Sequence, residues 1–151
     1  MRWAAPFDEL QLGDEFVTGS RTITEADVVA FATLTGDRHP QHIDADWAAS
    51  SAFGERIAHG MLVVSFAVGL ARLVPERVLA LRRLREVVFK RPVALGDTIT
   101  LIGSVSELRP VSEEAGLVQC TWSIVNQREE LCVRAQVEVL WRRDAVSTAV
   151  A

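Results

Sequence analysis

Between Met61 and Ala71 the sequence reads M-L-V-V-S-F-A-V-G-L-A, a run with no charged residue. At a helical period, Met61, Leu62, Val63, Val64, Phe66, Ala67, Val68 and Leu70 point in every direction. A helix built from them has no polar face and must be covered nearly all round. The run is too short to cross a bilayer, which takes about 20 apolar residues. One amphipathic neighbour cannot enclose such a helix, whereas a curved sheet can. The helix is placed from Gly60 to Leu73, with Pro75 closing it.

The rest of the chain offers that sheet. Glu15 to Ile23 follows a Gly13-Asp14 turn signal and alternates loosely, as a strand does. After the apolar run come four strand-like segments with no helix between them: Leu84 to Pro92, Thr98 to Ser106, Leu117 to Val125 and Leu131 to Trp141. Val118, Cys120, Trp122 and Ile124 share one face, and Leu131, Val133, Ala135, Val137, Val139 and Trp141 share another. Short connections favour antiparallel pairing, so the expected class is α+β, with one antiparallel sheet of about five strands around one long helix. A length of 151 residues fits a single domain over 1–151, with a core of about 12–141. Residues 142–151 lose periodicity and are expected to fray.

A formal charge of −4 gives no overall drive toward nucleic acid. Cys120 and Cys132 lack C-x-x-C spacing and read as reduced thiols. The N-terminus has no signal-peptide core, since acidic residues begin at Asp8. A cytoplasmic protein is expected, without a membrane or nucleic-acid partner.

Ahead of the long helix lies a second helix signal. Thr24 suits an N-cap with Asp27 at N3, Ile23 and Val28 suit a hydrophobic staple, and Gly36 suits the stop. Val28, Phe31, Ala32 and Leu34 would form its apolar face. From Asp37 to Asp44 the chain cannot continue that helix, because Pro40 lacks an N–H, and a shaped loop is expected. Asp44 then caps a short helix through Trp47 to Ser50, and Phe53 to Arg56 is another turn.

The loop D-R-H-P-Q-H-I-D carries the chemistry. Asp37 and His42, drawn together by Gly36 and Pro40, can hold one water and move its proton. The same two residues also fit a structural role, with Asp37 capping the loop and His42 bonding the backbone, which is what an arbitrary pair of this kind more often does. His39, His42, Asp37 and Asp44 offer imidazole and carboxylate donors, but H-P-Q-H lacks the spacing of H-E-x-x-H, and no metal is expected. At Ile57-Ala58-His59-Gly60-Met61, the free N–H groups opening the long helix could stabilise a thioester oxygen as it gains charge, worth roughly 3 kcal/mol in a transition state. Gly60 fits a pure packing role as well. Arg82, Arg83, Arg85, Lys90 and Arg91 read mainly as solvated strand residues, of which one or two could meet substrate phosphates.

With both segments in view the chain resembles the MaoC-like dehydratase family, which includes the R-specific enoyl-CoA hydratases, from about Leu12 to Trp141. Phe31, Leu34, Thr35, Gly36, Asp37, Pro40, His42 and Asp44 match F-x-x-L-[ST]-G-D-x-N-P-x-H-x-D. Ile57 to Leu62 with Ser65 match I-A-H-G-M-L-x-x-S, and Phe89 to Asp97 is similar to F-K-R-P-V-x-x-G-D. The resemblance implies a hot-dog fold, edge-to-edge dimers, and cofactor-free hydration of a trans-2-enoyl-CoA, or the acyl-carrier-protein equivalent, to the (3R)-hydroxyacyl thioester. It implies Asp37 and His42 as the catalytic pair and Gly60 as holder of the thioester oxygen, with His59, Met61, Ser65 and His39 beside the substrate. His39 departs from the family's Asn and can titrate. Two other readings stay open, an acyl-CoA thioesterase and a non-catalytic acyl-thioester-binding subunit of a heteromer.

Overall fold

The computed structural model describes residues 4–144. Strand β1 (Glu15–Thr22) is followed by helices α1 (Glu25–Thr35), α2 (Pro40–Ile43), α3 (Ala45–Ala49) and α4 (Gly60–Leu70). Strands β2 (Val78–Phe89), β3 (Thr98–Pro110), β4 (Ala115–Val125) and β5 (Leu131–Arg142) complete the chain. The five strands form one antiparallel sheet in the order β1-β3-β4-β5-β2. This is the expected class and strand number.

Alternation sets the core. Val118, Cys120, Trp122 and Ile124 on β4 stand opposite Val139, Val137, Ala135 and Val133 on β5, and all eight are buried. Side chains on one face of a strand recur every second residue, so the two runs pair on a single apolar surface. Leu62, Val63, Val64 and Ala67 of α4 join the same core as Ile99 and Leu101 of β3. Helix α4 is less completely enclosed than its composition suggests. Met61, Ser65 and Gly69, one turn apart, form an exposed stripe, and the helix ends at Leu70 rather than Leu73.

Helix α1 begins with the full capping box, Thr24 accepting from the Asp27 N–H and Asp27 from the Thr24 N–H. It ends at Gly36, whose φ of 80° lets its N–H reach the Ala32 carbonyl. Leu34 is 84% exposed and does not belong to the buried face, which Val28 and Ala32 provide.

Strand β2 starts six residues before the expected Leu84. Its pairing with β5 slips between Val78 and Ala80, Leu81 and Arg83, and Arg85 and Val88, with Glu86 at a φ of 49° in the third slip. Each bulge displaces the following side chains, which erases the alternation that would have revealed the strand. At the C-terminus, β5 runs through Arg142, and Arg143 binds the Asp8 carboxylate at 2.8 and 2.9 Å. Chain contacts thus persist past the last periodic residue, while 145–151 of the expected fraying tail lie outside the described residues. Cys120 and Cys132 are free and buried, and burial pushes the Cys120 thiol up to about 12, which makes it a poor nucleophile.

Candidate active site

The segment after Gly36 is fixed almost wholly by its own polar groups. The Asp37 N–H donates to Thr35 Oγ1 at 3.2 Å, and Asp37 Oδ1 accepts the His39 N–H at 3.3 Å. With α1 already ended at Gly36, Pro40 opens α2, at the N-terminal position where its missing N–H costs nothing. The second half of the expected loop is therefore a one-turn helix carrying His42.

A second segment, Glu55 to His59, clasps the first. Buried Gln41 donates through Nε2 to the Glu55 carbonyl at 2.8 Å, and Ile57 N–H returns to the Gln41 carbonyl at 3.3 Å. Arg56 donates to the His42 carbonyl at 2.8 Å and pairs with Glu25 of α1 at 2.6 Å. His42 Nδ1–H donates to the Ile57 carbonyl at 2.7 Å, and His59 Nε2–H donates to the Asp37 carbonyl at 2.9 Å. The clasp is itself anchored to the turn before β3, where Ala58 N–H meets the Val93 carbonyl at 2.8 Å.

These bonds settle tautomers. A carbonyl only accepts, so His42 carries its proton on Nδ1 and keeps Nε2 free as a base. The His42 and His59 rings stack at 3.9 Å between centroids, 27° from parallel, and Phe31 lies 5.0 Å beyond His59. Burial pulls the His42 pKa below the ordinary 6.5, opposed by its bond to Ile57 and by the Asp37 charge and assisted by His59 and His39. The ring thus stays neutral, and able to take a proton, below the usual histidine range.

Asp37, His42, His59, Gly60 and Met61 line a cavity of about 430 Å³ together with Phe31, Phe53, Ile57, Val63, Phe89, Lys90, Arg91 and others. Two of the expected substrate contacts stand elsewhere. Ser65 is exposed, and its hydroxyl donates to the Met61 carbonyl at 2.7 Å, one turn along α4 and off the cavity wall. His39 also lies outside the lining, with Nδ1 accepting the Gln41 N–H at 3.2 Å and its ring edge-on to Trp47. Gly60 opens α4, and a Cβ there would come within 2.5 Å of the Phe89 ring. The packing role of Gly60 is therefore real, and its partner is a cavity residue. Phe53 and Phe89 supply much of the apolar wall. Phe89 opens the third motif, whereas nothing in the local pattern distinguishes Phe53.

Asp37, His42 and His59 offer three donor atoms within 4.8 Å of one another. One nitrogen of each imidazole is bonded to a carbonyl, which leaves His42 Nε2, His59 Nδ1 and the Asp37 carboxylate as the atoms not so engaged. Three such atoms are one short of a closed tetrahedral site, and a free imidazole nitrogen beside a carboxylate can also hold and move a proton. Among the described residues no helix is long and apolar enough to cross a membrane.

Residues 9–126 match the family model described as MaoC like domain. The chain is 46% identical over 94 residues to Protein MaoC of Klebsiella aerogenes, an alignment covering 62% of this chain but only 28% of that protein. It is 36% identical to the 3-hydroxybutyryl-CoA dehydratase of Methylorubrum extorquens, over 78% of this chain and 74% of the relative. It is 34% identical to the (R)-specific enoyl-CoA hydratase of Aeromonas caviae, over 80% and 87%. Among solved structures, the monoamine oxidase regulatory protein of Archaeoglobus superposes with a TM-score of 0.86 at 36% identity, over 92% of this chain and 95% of that one. A double hot-dog protein of Mycobacterium tuberculosis superposes at 0.84 and 24% identity, over 93% of this chain and 45% of that one, and so shares the fold.

Proposed function

The chain belongs to the MaoC-like family, and we propose on that premise that it is a carbon–oxygen lyase, adding water reversibly to a trans-2-enoyl thioester to give the (3R)-hydroxyacyl thioester. The observation that carries the reading is the anchoring of His42: with Nδ1 held by the Ile57 carbonyl, Nε2 is left free, and a His42 nitrogen and an Asp37 carboxylate oxygen lie within 4.8 Å of each other in one cavity. Asp37 and His42 hold a water between them. His42 takes a proton from this water as the oxygen attacks C3 and passes it on to C2 on the same face, which restores the neutral imidazole. The Gly60 N–H, at the positive end of α4, receives the thioester oxygen as the enolate-like charge develops. Every group in this scheme is a side chain or main-chain donor, so no cofactor is assigned.

The apolar wall of Phe31, Phe53 and Phe89 suits an acyl chain, and exposed Lys90 and Arg91 at the same cavity suit the phosphates of coenzyme A or of an acyl-carrier protein. We assign the protein to a homodimer and to the cytoplasm. The dimer is supported by the exposed Leu79, Leu81, Val88 and Phe89 on edge strand β2, and the location by two free thiols. The test is a panel of enoyl-CoA and saturated acyl-CoA substrates. Loss of enoyl-thioester absorbance without free thiol is the expected result. Thiol release from saturated acyl-CoA would replace it with a thioesterase, and saturable binding with no turnover would replace it with a binding subunit.

A further inference from the structure

Helix α2 is one turn long, far too short to hold itself together in water. Its first residue, Pro40, has no N–H, and the next two donors both end on His39. The Gln41 N–H goes to His39 Nδ1 at 3.2 Å, and the His42 N–H to the His39 carbonyl at 2.9 Å. The His39 ring is held for this by Trp47 of α3, edge-on at 5.5 Å and 89°. It touches no part of the cavity, yet the turn it caps carries the imidazole that does.

Building on the assignment of the reaction to Asp37 and His42, we propose that His39 is a positioning residue: its unprotonated Nδ1 caps the turn that carries His42, and protonating that nitrogen loosens the turn. A nitrogen that accepts an N–H must be free of a proton, whereas an asparagine oxygen in the same place would cap at any pH. The charged and titratable groups around the ring come from each neighbouring segment. Asp37 accepts the His39 N–H through Oδ1 at 3.3 Å, the His42 ring lies 6.1 Å away on α2, and Asp44 heads α3 with Oδ1 on the Trp47 N–H at 2.9 Å. The rate therefore falls on the acid side for two separable reasons, protonation of the base itself and release of the turn that aims it.

The test compares wild type, His39→Asn and His39→Ala between about pH 8 and pH 5, where imidazole titrates. In the first arm, exchange protection of the Gln41 amide is followed by NMR. It should fall about fivefold toward acid in wild type, the scale of one lost cap. It should stay level in His39→Asn, and be low throughout in His39→Ala. In the second arm, His39→Asn should carry the acid limb of kcat/KM to lower pH. His39→Ala should lower kcat about fivefold on the plateau, with KM less affected and His39→Asn closer to wild type. Gln41 protection that tracks pH identically in wild type and His39→Asn would overturn the proposal, as would superimposable pH–rate profiles. If wild type turned over no enoyl thioester, the hydratase reading would fall while Gln41 exchange still decided the role of His39.

Discussion

The β4–β5 interior and the clasp around His42 hold their parts by opposite means. Across β4 and β5, Val118 faces Val139, Cys120 faces Val137 and Ile124 faces Val133, contacts that are non-directional and shared among many neighbours. Around His42, Gln41, Arg56, Ile57 and His59 each contribute a hydrogen bond of defined donor, acceptor and length between two short segments. Apolar burial scales with area and tolerates exchange of similar shapes, whereas a buried hydrogen bond fails as a unit when one partner is removed. The first region should govern whether the chain folds, and the second how well a folded chain works.

The largest separation of the two should come from Leu101→Ala. Leu101 is fully buried on β3, away from the cavity lining, and its loss should cost about 2–5 kcal/mol in denaturant unfolding. Turnover per folded molecule should stay near wild type. A collapse of kcat in molecules still folded would break the division between core and site.

A smaller effect, on activity, is expected at the junction. Gly60→Ala brings a Cβ against Phe89, whose half-exposed ring can swing into the cavity. We expect kcat/KM to fall about tenfold, within the range of one displaced oxyanion donor. In a Phe89→Ala background, whose own cost is measured separately, Gly60→Ala should cost much less than in wild type, and an undiminished cost would locate the requirement for glycine in substrate approach instead of ring packing.

The smallest effect is a displacement in pH. Since His42 has its pKa lowered by burial, the neutral base persists below 6.5, and the acid limb of kcat/KM should lie beneath the ordinary histidine value. The stability linked to His42 has the same sign. It is fully present above the unfolded-state value and is lost as pH falls through the lowered folded one. In His39→Asn, where the cap carries no imidazole, a limb above 6.5 would contradict the lowering at His42.

Much of this was readable in advance wherever one segment encodes its own structure. The alternation of β4 and β5, the capping box of Thr24 and Asp27, and the uncharged run of α4 each carry their signal within a few residues. The first half of β2 was hidden because two slips in its pairing, at Val78/Ala80 and Leu81/Arg83, break its period and because Arg82 and Arg83 read as surface. Leu34 and Met61 look like core by composition, yet Leu34 faces outward and Met61 stands half-exposed at the cavity, because exposure depends on which neighbours arrive. In the site, Asp37 and His42 stand out by proximity. The stacking of His59 on His42 joins residues with no sequence period between them, and the Ser65 hydroxyl turns back to its own helix, a choice no motif announces.

The central claim, that Asp37 and His42 together activate water against an enoyl thioester, is tested most directly by the hydration rate of Asp37→Asn and His42→Ala beside wild type, with folding checked by circular dichroism. Each variant should fold and lose at least about a hundredfold in kcat, the scale of one acid/base group. A folded variant of either kind working at the wild-type rate would contradict the account.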